Sequence, residues 1–235
     1  MNILAIGCHP DDLEIGCSGT LAKYAKQGHN VIMCHVANGN RGHAIIMPDE
    51  LRDIRTKEAE EAGKLIGAAE VINLDVPDLE VSSYNEDIVK KVIDVIRYAK
   101  PDVIITHSPE DYMKDHVEVN KLVFDASFSS SIPHMFTENP FYAPVVPIFY
   151  MDTLAGVNFL PTEYVDITET IEIKIQAVNC HQSQIKWMKE HDKIDFLDFV
   201  RTCSKFRGLQ CGVPYAEGFR QCTTWPRFRT KRLLP

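Results

Sequence analysis

The sequence predicts an α/β protein: a Rossmann-like, mostly parallel sheet with helices on both faces, built as a single domain. Three observations carry that expectation. Short apolar runs of strand length recur at Ile3–Gly7, Val31–Val36, Val71–Leu74 and Val103–Thr106. Segments with helical spacing separate them, as crossover-connected parallel strands require. Polar clusters also fall directly after the first and fourth runs, where open α/β sheets bind ligands.

The elements follow in order. Cys8-His9-Pro10-Asp11-Asp12 is a tight corner after the first strand, and the chain then feeds a helix from about Ser18 to Gln27. Gly28-His29-Asn30 ends that helix before the second strand. Asn38-Gly39-Asn40-Arg41-Gly42 reads as a loop by its glycines. A helix starts near Pro48-Asp49-Glu50, buries Ile54, Ala62, Leu65 and Ile66, and stops at Gly67. Asn85 caps the next helix, in which Ile88, Val92, Val95 and Ile96 recur at helical spacing. After the fourth strand comes a second polar stretch, His107 to His116, and a helix from Val117 to about Phe128. Residues 129–147 are rich in Ser and Pro without a period and read as a long loop. Pro147–Met151 and Tyr164–Ile167 are further strands, Thr168 caps a helix to about Gln182, and Phe196, Leu197, Phe199 and Val200 mark a last helix.

Composition narrows the function. With 235 residues, 45% hydrophobic and 25% charged, the chain suits a soluble globular protein with a sizeable core. A net charge of -8 argues against nucleic-acid or anionic-membrane partners, which select basic surfaces. The basic residues near the end (Arg220, Arg227, Arg229, Lys231, Arg232) read as a solvated tail. No transmembrane run or signal peptide is expected. Seven cysteines without a CxxC pair read as reduced thiols, which points to the cytoplasm.

In a doubly wound sheet the loops after strands one and four face each other across the switch point. Those loops carry His9, Asp11 and Asp12 on one side and Asp115 and His116 on the other. Three imidazole or carboxylate ligands with an open fourth position are the usual arrangement of catalytic zinc, though other divalent transition metals accept the same donors. A nucleotide-binding module without metal is the weaker alternative. Gly7…Gly16…Gly19 is not a dinucleotide fingerprint, and adjacent acids would repel a pyrophosphate.

The paired motifs, His9-Pro10-Asp11-Asp12 after the first strand and Asp115-His116 after the fourth, resemble the LmbE-like (PIG-L) family of zinc-dependent N-deacetylases. Arg55-x-x-Glu58-Ala59-x-x-Ala62, Lys174-x-x-Ala177-x-x-x-His181-x-Ser183-Gln184 and Tyr215-Ala216-Glu217-x-Phe219 are similar to further family segments. The resemblance implies one domain over 1–235, with a catalytic core of about 1–128 and a part at 147–235 that completes the sheet, the pocket rim or oligomer contacts. It implies that His9, Asp12 and His116 hold Zn2+ and that Asp11 is the general base. The implied reaction removes an acyl group, acetyl above all, from the nitrogen of an amino-sugar derivative. A homo-oligomer is expected.

One position departs from the family pattern. The second motif often reads His-Pro-Asp-His, whereas Met113-Lys114-Asp115-His116 stands here. Met113 lies at the substrate side but cannot donate a proton. His107 is the expected catalytic substitute, with a backbone-bonded loop residue as the plain alternative. Arg55 is an expected substrate contact, and Asp115 an expected orienter of a ligand imidazole or a helix cap. A metal-binding homologue that has lost hydrolysis is the second functional hypothesis. Glu58 reads as a salt-bridge or capping residue and His181 as packing. Trp187 and Trp225 read as a sugar-binding rim, core or an oligomer contact.

Overall fold

The computed structural model describes residues 1–142, 144–227 and 232–235. In chain order these form β1 (Asn2–Gly7), α1 (Asp12–Gly16), α2 (Ser18–Lys26), β2 (Asn30–Ala37), α3 (Pro48–Ile66) and β3 (Glu70–Val76). There follow α4 (Glu86–Ala99), β4 (Val103–Thr106), α5 (Lys114–Ser129), β5 (Ile148–Met151) and β6 (Glu163–Asp166). The last are α6 (Ile171–Cys180), α7 (Gln182–Trp187), α8 (Phe196–Cys211) and β7 (Ala216–Gln221).

All seven strands join one sheet in the order β3-β2-β1-β4-β5-β7-β6. The first five strands pair in parallel, and β7 runs antiparallel between β5 and β6. β1 therefore sits between β2 and β4, with Ile3 opposite Val31 on one side and Val103 on the other. That is the switch point at which the loops after β1 and β4 converge. Successive β1 side chains alternate between two cores. Ile3 and Ala5 join α2, α3, α6 and α8, whereas Leu4 and Ile6 join α4 and α5. Burial on both faces explains why the strand reads as a continuous apolar run.

Several expectations need correction. β7 was not anticipated as a strand, because a glutamate and a glycine interrupt its apolar pattern. The stripe of α3 is Leu51, Arg55, Glu58, Ala59, Ala62 and Ile66, while Leu65 is exposed. α5 begins at Lys114, so Asp115 and His116 lie in its first turn rather than in the loop. Thr168 does not cap α6: its hydroxyl donates to Asp166 Oδ1, and the helix starts three residues later. That helix also ends at Cys180, where His181 breaks the helical angles before α7. Arg227 is no solvated tail residue, since its buried guanidinium lies 4.1 Å from the Phe124 ring centroid and donates to Phe124 O. Arg229 and Lys231 lie outside the described residues. The stretch after α5 is a loop, as expected, and buried Arg97 gathers it by donating to Ser130 O, Ile132 O and Met135 O.

Candidate metal centre and pocket

The corner after β1 is sharply bent. Asp11 holds φ 135°, a region in which a residue with a Cβ is strained. The bend turns Asp11 and Asp12 to different partners. Asp11 Oδ1 lies 3.0 Å from Arg55 Nη2, which also donates to Pro10 O at 2.6 Å. Arg55 reaches the corner from α3 beneath Gly39, where a Cβ would come within 2.6 Å of the guanidinium. Arg55, the expected substrate contact, clamps the corner that carries Asp11 and also lines the cavity over it. Burial raises the Asp11 carboxyl above its ordinary range, against the lowering influence of Arg55.

Asp12 is the hub of the cluster. Its Oδ2 accepts from His9 N at 2.6 Å and lies 3.3 Å from His9 Nδ1, 3.4 Å from His107 Nε2 and 3.2 Å from His116 Nε2. Among the described residues, two ligand-type groups share it: Cys8-His9-Asp12 and Asp12-His107-His116, each with donor atoms within 4.8 Å of one another. Burial opposes ionisation of Asp12, but the imidazoles around it, His116 first, hold its carboxyl well below the usual range.

The far side of each imidazole separates the candidates. His116 Nδ1 is fixed by Asp111 Oδ2 at 3.0 Å, while its buried Nε2, aimed at Asp12, has no hydrogen-bond partner among the described residues. His9 Nε2 lies 3.5 Å from Asp115 Oδ2. Each imidazole therefore has a carboxylate on one nitrogen and Asp12 on the other, the arrangement that orients metal-binding histidines. His107 differs, because its Nε2 already accepts from Cys8 N at 2.9 Å and its carbonyl accepts from Asn120. Burial, then His116, push the His107 imidazole down to about 4, so it is neutral near pH 7. It stacks on His116 with ring centroids 3.9 Å apart and does not line the pocket.

Asp115 also accepts from Leu79 N at 2.7 Å, so it braces the loop after β3 instead of capping α5. Asp111 was overlooked in the sequence, although it stands five residues before His116. Glu58 caps α7 by accepting from Ser183 N and Ser183 Oγ, at 2.8 and 2.7 Å. His181 is buried with Nε2 3.6 Å from Glu14 Oε1.

A cavity of about 560 Å³ opens over the cluster, within the size range of small-molecule sites. His9, Asp11, Asp12 and Met113 line one part, and His43, Gln184, Trp187 and Asp192 another. Trp225 is exposed and lies outside it. An unpartnered imidazole nitrogen aimed at a carboxylate amid histidines fits a divalent transition metal.

A mostly parallel sheet with an Asp- and His-rich cluster and a pocket at its switch point defines an α/β protein with a candidate metal site. The comparisons make the family specific: the chain belongs to the PIG-L family, described as GlcNAc-PI de-N-acetylase, whose profile matches residues 4–127. It is 27% identical to a diacetylchitobiose deacetylase of Thermococcus kodakarensis over 93% of this chain and 82% of that one. The structure of an N,N'-diacetylchitobiose deacetylase from Pyrococcus horikoshii matches with a TM-score of 0.79 at 28% identity, covering 94% of this chain and 83% of that one. A 4-carboxy-2-hydroxymuconate hydratase from Pseudomonas putida shares the fold, with a TM-score of 0.82 at 22% identity over 99% of this chain and 100% of that one.

Proposed function

We propose that the protein is a metal-dependent N-deacetylase acting on an amino-sugar derivative, with His9, Asp12 and His116 holding one zinc or similar divalent ion. The observation that carries this reading is His116: Asp111 fixes its Nδ1, leaving a buried, unpartnered Nε2 pointed at Asp12. The bound ion would supply an activated water and polarisation of the amide carbonyl.

The chain's own groups supply the proton chemistry. Asp11 lines the cavity beside His9 and Asp12, and Arg55 fixes its orientation. It takes the proton of the attacking water, and burial, which raises its carboxyl, favours holding that proton. Asp11 then returns it to the departing amine nitrogen. Met113 cannot donate, and neutral His107 is turned to the Cys8 backbone, so neither competes for that step. Seven free cysteines support a reducing, cytoplasmic setting.

The test pairs the adjacent carboxylates. Acetate release from N-acetylated amino sugars is measured alongside metal content. Asp11→Asn should keep its metal and lose at least about a hundredfold in rate. Asp12→Asn should lose metal instead. No acetate from any such sugar, together with hydration of 4-carboxy-2-hydroxymuconate, would move the protein to the hydratase chemistry carried by its structural relative.

A further inference from the structure

Two apolar residues of the cavity lining each hang from a carboxylate that also holds a histidine of the proposed metal site. Leu79 N donates to Asp115 Oδ2 at 2.7 Å, and the same oxygen lies 3.5 Å from His9 Nε2. Met113 N donates to Asp111 Oδ1 at 2.9 Å, and the other oxygen of Asp111 holds His116 Nδ1 at 3.0 Å. Leu79 and Met113 line the cavity together with His9, Asp11 and Asp12. A single carboxylate thus links each apolar residue to the metal cluster.

Leu79 is held there against its own backbone preference. Glu80 N donates to Pro77 O at 3.1 Å, which closes a turn with Leu79 as its third residue. Its φ of 68° suits glycine or asparagine and is an outlier for a bulky side chain. The turn is pinned to the loop after β2: Asp78 accepts from Gly39 N and Arg41 N, and Arg41 pairs with Glu80 at 2.6 Å. Despite that anchorage Leu79 remains 62% exposed. A strained residue whose apolar surface stays uncovered in a cavity marks a ligand contact.

The part of an amide substrate that suits this pair is its acyl group. In hydrolysis water adds to the carbonyl carbon, the C–N bond breaks, and a carboxylate and an amine leave. The amine nitrogen must face Asp11, which Arg55 ties to its own side of the corner. The acyl carbons leave the same carbonyl in the other direction and carry nothing polar. Leu79 offers them only carbon, and Met113 carbon and a polarisable sulfur. One methyl covers only part of two such side chains. Each further methylene buried is worth about 0.8 kcal/mol, or roughly fourfold. We propose that Leu79 and Met113 form an apolar acyl wall, which makes the enzyme favour N-propionyl and N-butyryl amino sugars over N-acetyl ones. The wall rests on the hydrolase reading above for the position of the carbonyl.

Glucosamine release is measured from N-acetyl-, N-propionyl- and N-butyrylglucosamine with the zinc-loaded protein. The parent's kcat/KM should rise roughly fourfold with each added methylene. Leu79→Asn keeps nearly the same shape, tolerates φ 68° and removes the apolar surface. It should flatten the series, and Met113→Gln should flatten it in part. A parent that favours acetyl, or a Leu79→Asn series as steep as the parent's, would overturn the wall. The urea-unfolding midpoint of metal-free Leu79→Asn should not fall; a marked fall would make Leu79 a packing residue instead. Calorimetric binding of acetate and butyrate to the zinc-loaded parent reads the same contact without turnover. Butyrate should bind roughly tenfold tighter, and Leu79→Asn should remove most of that difference. This binding pattern without glucosamine release from any of the three sugars keeps the wall and removes the hydrolase reading. Release from N-acetylglucosamine with equal affinity for the two carboxylates removes the wall alone.

Discussion

Two buried clusters of opposite charge, one at each end of α1, are built on different terms. Lys174 of α6 and Glu217 of β7 form a closed knot: Lys174 Nζ donates to Glu217 Oε1 at 2.5 Å and to Ile15 O at 2.6 Å. Glu217 also accepts from Gly19 N and Thr20 N, at 2.9 and 2.8 Å, so it caps the first turn of α2 from a distant strand. The Asp12 cluster has more charge-bearing groups and fewer bonds. Three imidazoles stand 3.2 to 3.4 Å from one carboxylate oxygen, and His116 Nε2 is bonded to nothing described. A buried charge whose partners are complete holds structure together, whereas converging groups left incomplete mark where a ligand binds.

The largest expected effect tests the open cluster. His116→Ala should strip most of the metal and abolish acetate release while the urea-unfolding midpoint of the metal-free protein hardly moves. Full metal retention would place the ion on other ligands. Lys174→Met tests the closed knot in the opposite way. Breaking a buried pair leaves Glu217 uncompensated and should cost about 3–5 kcal/mol in urea unfolding, with metal content per folded molecule unchanged. A loss below about 1 kcal/mol would put the pair on the scale of an exposed salt bridge. The smallest effect sharpens the border between the two. Asp111→Ala removes only the carboxylate behind His116 and should weaken metal affinity about 10–100-fold, read by competition with a chelator. Unchanged affinity would make Asp111 a loop brace through its bond to Met113 N.

The parallel half was legible because its strands are buried on both faces and bounded by Gly, Pro and Asn. Adjacency of β1 and β4 followed from topology alone, and with it the meeting of His9, Asp12 and His116. The antiparallel end was not legible. β7 holds Glu217 inside only because Lys174, 43 residues earlier, neutralises it, and local periodicity cannot register a partner so distant. The same limit hid Asp111, one of several polar residues in its stretch until the turn into α5 aims it at His116. His107 adds a detail hidden from the sequence: its Nε2, the nitrogen that faces Asp12, accepts from the Cys8 backbone.

The place of β7 also imposes an order of events. β6 pairs with β7 and with no other described strand, so it cannot join the sheet when it first leaves the ribosome. The stretch from β1 through β5 can zip in sequence, each parallel strand finding a neighbour already made. β6 must wait for residues 216–221, which at about 5–20 residues per second takes seconds. During that interval the nascent chain shows an open β5 edge, the surface at which chains stick to one another. A chaperone acting on this protein would find its work there, between the synthesis of β5 and the arrival of β7.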